Sequence, residues 1–118
     1  MKKKSKEKEM AFLHLEELKL GLDGRAYVSL NQEKKVYEII PTHPNFLVLI
    51  DAVTMGDPQA IEIWESFVEA FVGTSNAMKD TLPDYYIVLF NPYNTKNWLL
   101  LILNGVILYD FASKGQTQ

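Results

Sequence analysis

The segment "WLLLILNGVILYDF", residues 98–111, constrains the fold more than any other part of the chain. Outside its Asn104-Gly105 pair it has twelve residues, and eleven of them are apolar or aromatic. Asn-Gly between two apolar runs specifies a two-residue hairpin turn, because both central positions need positive φ. Such a turn fixes the register, with Leu103 opposite Val106, Ile102 opposite Ile107, and so on out to Trp98 opposite Phe111. Cross-strand partners share a face. One face is then expected to hold Trp98, Leu100, Ile102, Ile107, Tyr109 and Phe111. The other holds Leu99, Leu101, Leu103, Val106, Leu108 and Asp110. A hairpin with one wet face alternates apolar and polar residues, and this one is apolar on both sides.

The rest of the chain supplies the other elements. "ELKLGLDGRAYVSL" alternates on either side of Asp23-Gly24, a second pair suited to a hairpin turn, and "KVYEII" follows as a strand that Pro41 stops. Residues 17–40 are therefore expected to form a three-stranded meander. Pro44 and Gly56 bracket "PNFLVLIDAVTM", which is apolar nearly all round a helical wheel and predicts a buried helix, with a buried strand at 46–50 as the competing assignment. In "DPQAIEIWESFVEAFVG", Asp57 caps, Pro58 takes the first turn and Gly73 closes an amphipathic helix. Trp64, Phe67, Val68 and Phe71 share one side of it, and Glu62, Glu65 and Glu69 the other. "YYIVLF", the loop "NPYNTKN" and the greasy hairpin complete the order βββ-αα-βββ. The fold class is α+β: antiparallel sheets, curled or barrel-like, with two central helices packed on them.

At 118 residues the chain is one domain with room for a core. Residues 11–112 are expected to form it, between a flexible basic tail at 1–10 and a short C-terminal tail at 113–118. Residues 1–9 hold five lysines against two glutamates, whereas the chain as a whole carries a net charge of −3. The body is thus acidic, which disfavours nucleic acid, since phosphate contact needs clustered Lys or Arg. No apolar run reaches the roughly 18 residues of a membrane span, and no secretory h-region follows the lysines. The absence of cysteine removes disulfides, thiol chemistry and Cys-ligated metals, and fits a reducing, cytoplasmic setting.

No residue pattern specifies catalysis. His14 and His43 lack a second ligand at metal spacing, and His43 with Asp51 or Asp57 as an acid–base pair competes with a plain turn or helix-start role for His43. The three glutamates diverge on a solvent face, which suits solvation or a basic partner better than a cation. Tyr93 and Asn94, in the polar loop, belong to residue types common in recognition surfaces. No cofactor or metal is expected, and enzymatic activity is disfavoured. Two helices cover only one face of the sheet. Six large side chains left open would expose roughly 600 Å², near the upper end for a monomer. Either the sheet curls on itself, or a partner covers the face. The sequence therefore leads to a small non-enzymatic protein acting by protein–protein contact, self-associating as a homodimer. Its candidate interface is the Trp98–Phe111 face, with partner contacts at Glu62, Glu65, Glu69, Tyr93 and Asn94. The alternative is a ligand-binding or small catalytic domain with a pocket between sheet and helices.

Overall fold

The computed structural model describes the backbone of residues 2–114 and the side chains of residues 6–113. The elements are α1 (Lys2–Leu22), β1 (Ala26–Asn31), β2 (Val36–Pro41), α2 (Pro44–Thr54), α3 (Pro58–Met78), β3 (Tyr86–Phe90), β4 (Trp98–Leu103), β5 (Val106–Asp110) and α4 (Phe111–Lys114). The strands form one open five-stranded sheet in sequence order. It is α+β, as the sequence predicts, but the order βββ-αα-βββ is corrected at its first strand.

That first strand is the end of a helix. Leu18, Leu20 and Leu22 satisfy a period of two, yet Ala11, Leu15, Leu18 and Leu22 satisfy the spacing of a helical stripe. The stripe wins: Ala11, Leu18 and Leu22 are buried, and Leu20 is left in solvent. Asp23 and Gly24 do take positive φ. They end α1 instead of joining two strands, with the Asp23 amide donating to the Lys19 carbonyl and the Arg25 amide to Leu22. The basic stretch expected as a tail is helical from Lys2, and Glu7 within it accepts a bond from the Tyr85 hydroxyl at 2.8 Å. Of the expected C-terminal tail, α4 takes in Ser113 and Lys114, and residues 115–118 lie outside the described part of the chain.

Between β2 and β3 the chain crosses over through α2 and α3, so these two strands run parallel, and the sheet is mixed where an antiparallel one was expected. It is an open sheet and not a closed barrel, since β1 and β5 stand at opposite edges. In α2, the helix assignment for 44–54 holds. His43 caps it by accepting from the Asn45 amide at 3.1 Å, and Gly56 turns the chain out at φ +84. The helix is buried on one side only: Phe46, Ile50 and Val53 are covered, whereas Val48 is exposed. It packs on α3 through a stacked Phe46–Phe67 pair at 5.3 Å. Gly73 does not close α3, which continues to Met78 and buries Ser75 and Met78 in its added turn.

All three long helices lie on one face of the sheet. A single core joins Ala11, Leu18 and Leu22 of α1, Phe46, Ile50 and Val53 of α2, and Trp64, Val68 and Phe71 of α3 to Val28, Tyr37, Ile39, Ile87, Leu89, Leu100 and Ile102 of the strands. Hydrogen bonds also tie the layers, among them one from the Tyr37 hydroxyl to the Ala11 carbonyl at 2.6 Å and one from the Trp64 indole to Asp110 at 2.8 Å.

Candidate interaction surface

Alternation assigns every strand residue to the helix side or the open side. The pairings place three rows across the open side. The first row is Tyr27, Ile40, Phe90 and Trp98. The second is Ser29, Glu38, Val88, Leu101 and Tyr109. The third is Asn31, Val36, Tyr86, Leu103 and Val106. No helix among the described residues covers these rows. Val88, at the centre, is buried by its neighbours alone, yet it stands outside the helix-side core. Asn31, Ser29 and Glu38 form one polar corner, and Glu38 is the sole ionisable carboxylate of the face. The remaining positions are apolar or aromatic. Tyr27 is 62% exposed, Trp98 45% and Val106 59%.

The candidate interface read from the hairpin is divided by this arrangement. Asn104 and Gly105 take the expected turn, φ 50° and 80°, and Leu103–Val106 and Ile102–Ile107 pair as predicted. Past Ile107 the register slips at a bulge, with Leu108 as the additional residue, so Leu101 meets Tyr109 and Leu100 meets Asp110. A second irregularity near Leu99 pairs Phe90 with Trp98. Trp98 and Tyr109 therefore share the open side, ring centroids 6.2 Å apart in an edge-on arrangement. Leu100 and Ile102 are fully buried under the helices. Ile107 is on the helix side but half exposed at the sheet edge. Phe111 leaves the sheet, starts α4 and meets Trp64 edge-on at 5.0 Å. A regular hairpin has no place for this slip, and Leu108 carries no local signal of a bulge.

The other candidates lie apart. Glu62, Glu65 and Glu69 are exposed on α3, in the layer opposite the open face. Tyr93 and Asn94 are exposed in the β3–β4 loop, where the Tyr93 hydroxyl donates to Asp51 at 3.2 Å and Asn94 accepts from the Lys96 amide. His14 bonds to Glu17 at 2.9 Å and to Thr81 at 3.1 Å. His43 is a helix cap. Among the described residues no group of three or more His, Cys, Asp or Glu side chains is placed to hold a metal ion.

Two grooves run between helices. One, of about 450 Å³, separates α1 from α3 over Leu18, Leu22, Phe71 and Met78. The second, of about 490 Å³, lies between α2 and α3. Both are apolar and open, and the polar groups at the first are spent on each other or on backbone: His14 on Glu17, Arg25 on the Leu22 and Gly21 carbonyls. A third hollow, of about 570 Å³, lies at the corner where β5 has ended. It is lined by Trp98, Tyr109 and Phe111 with Asn91, Lys96, Asn97 and Thr54.

Among the described residues no helix is long and apolar enough to cross a membrane. Comparison of the chain with family models, with curated proteins and with solved structures gives no match.

Proposed function

We propose that this chain is a non-enzymatic contact protein of the adaptor, assembly-factor or inhibitor kind, and that it works through the open face of its sheet, where it self-associates. The observation that supports this is the uncovered face itself. Helices occupy one side of the sheet, and the other presents Tyr27, Ile40, Phe90, Trp98, Leu101 and Val106 with one carboxylate among them. Depletion of charge with enrichment of tyrosine, tryptophan and phenylalanine is the composition of an interface centre. Symmetric pairing is the commonest way such a face is covered.

Leu101 and Ile102 are neighbours that point to opposite sides, so a pair of variants separates core from interface. Ile102→Asp puts an unpaired carboxylate under the helices and is expected to unfold the chain, at a cost of several kcal/mol. Leu101→Asp is expected to keep the circular dichroism of the parent and to sediment as a monomer at concentrations where the parent is a dimer. A parent chain that is monomeric at millimolar concentration overturns the proposal.

A further inference from the structure

The open face also carries the geometry of its own pairing, and here we infer, building on the self-association proposed above, a specific isologous dimer. Two sheets are stacked face to face around a two-fold axis that runs along β3, and Tyr27 of each copy enters the corner hollow of the other. The occupant is a second copy of this chain, chosen on area, charge and shape.

Area fixes where the axis lies. Five strands about 4.8 Å apart, each about five residues long at about 3.3 Å per residue, give a flat footprint of roughly 400 Å², or roughly 600–700 Å² of accessible surface with side-chain relief. A stable interface buries about 600–1,000 Å² per partner. Nearly the whole face must then be used, and an overlap of half the strands falls short. Full overlap requires an axis over the middle strand, near Val88.

Charge and shape fix its direction. An axis across the strands would stack each strand on its own copy and place Glu38 on Glu38, two like charges in a water-poor layer, which costs several kcal/mol. An axis along β3 stacks β1 on β5 and β2 on β4, which parts the two carboxylates. It also matches two corners. The first row of the face has a residue on β1, Tyr27, and none on β5, because the chain has already turned into α4 there. The hollow walled by Trp98, Tyr109 and Phe111 marks that missing position. The axis along β3 brings Tyr27, the most exposed aromatic side chain of the face, over the hollow of its partner. The hollow has aromatic walls for the ring. It also has Asn91, Lys96 and Asn97 at its rim to bond the hydroxyl, the kind of site in which an anchoring tyrosine carries binding energy.

The chain has no cysteine, so introduced thiols report the pairing without interference. Ser29→Cys and Tyr109→Cys chains are made separately, mixed, and treated with a short bismaleimide. β1 and β5 of one chain lie about 19 Å apart, four strand spacings, so a short link between these positions has to join two chains. The expected product is the mixed Ser29–Tyr109 dimer, with neither variant linking to itself. In parallel, Tyr27→Ala is expected to weaken the dimer by roughly thirty-fold in sedimentation, and Tyr27→Phe by much less, with circular dichroism unchanged. Three outcomes overturn the inference. Self-linking of Ser29→Cys or Tyr109→Cys places the axis across the strands. Self-linking of Leu108→Cys indicates pairing through the β5 edge. A dimer that is indifferent to Tyr27→Ala has no tyrosine anchor. The first and third leave self-association through the face standing, whereas a parent chain that does not self-associate at all removes that proposal as well.

Discussion

Tyr85 shows how a single residue ties the lysine-rich start to the sheet. Its side chain is almost wholly buried, tilted against Tyr37 at 5.8 Å between ring centroids, with the Lys35 ammonium 5.9 Å from its ring. The hydroxyl donates to Glu7 of α1 and accepts from the Gln32 side chain at 3.2 Å. Burial, and then the bond to the Glu7 carboxylate, push its pKa from 10.0 up to about 12. Tyr37, more deeply buried, is pushed up further, again mainly by burial. A raised phenol pKa means that the folded state favours the neutral form. The stabilisation is complete below pH 10 and is lost as the pH climbs through about 12. Stability is therefore expected to fall across that alkaline window. Tyr85→Phe, which has no proton to lose, is expected to flatten part of the fall while costing about 1 kcal/mol at neutral pH for the lost hydrogen bonds. Denaturant melts from neutral to alkaline pH, with tyrosinate absorbance followed alongside, measure both. An identical alkaline slope in parent and variant would rule out this role for Tyr85.

At the scale of elements, the β4–β5 hairpin is fixed by its turn and by what the turn rests on. Gly105 has φ +80, and its amide donates to the Ser75 hydroxyl of α3 at 2.9 Å. A Cβ at Gly105 would lie 2.9 Å from the Asn76 Cβ and 3.2 Å from its Cα. Gly105→Ala combines an unfavourable backbone with a clash against a helix, and is expected to cost about 2–3 kcal/mol. A lower denaturant midpoint with an unchanged slope would register it, and a midpoint within error of the parent would refute it. This turn was legible in the sequence because Asn-Gly has one dominant structural use between apolar runs. Asp23-Gly24 was not, because two positive φ values serve a helix end as well as a hairpin. Leu18, Leu20 and Leu22 fit a strand taken alone, and only Ala11 and Leu15 further back reveal the helical spacing. The β3–β5 run and the existence of α2 and α3 followed from Pro, Gly and periodicity. The face assignments beyond Ile107 did not, because the bulge at Leu108 interrupts a run in which every residue is apolar, and a shift of one position there leaves no trace in hydrophobicity. Of the side chains that a regular hairpin groups on one face, the bulges leave Trp98 and Tyr109 on the open side and put Leu100 and Ile102 under the helices.

The acidic stripe of α3 and the open face of the sheet lie on opposite sides of the molecule, and that arrangement sets how association should respond to salt. Glu62, Glu65 and Glu69 project from α3 on the far side of the helical layer, while the open face has Glu38 as its one carboxylate. The chain carries a net charge of −3, so two copies repel weakly at long range while they adhere through a largely apolar surface. Salt screens the repulsion, with a Debye length of about 10 Å at 0.1 M. Pairing through the open face is therefore expected to tighten modestly as salt is raised, and to show a negative heat-capacity change from apolar burial. Changing Glu62, Glu65 and Glu69 together to Gln is expected to alter folding by less than about 1 kcal/mol, because the three are exposed. It should also raise self-affinity slightly by removing repulsion. Contact of the acidic stripe with a basic partner would behave in the opposite way, with association slowed by salt and by the triple change. Sedimentation equilibrium over a salt series, on the parent and the triple variant, distinguishes the two: a self-association that dissolves as salt rises would place the working surface on α3 and take it off the sheet.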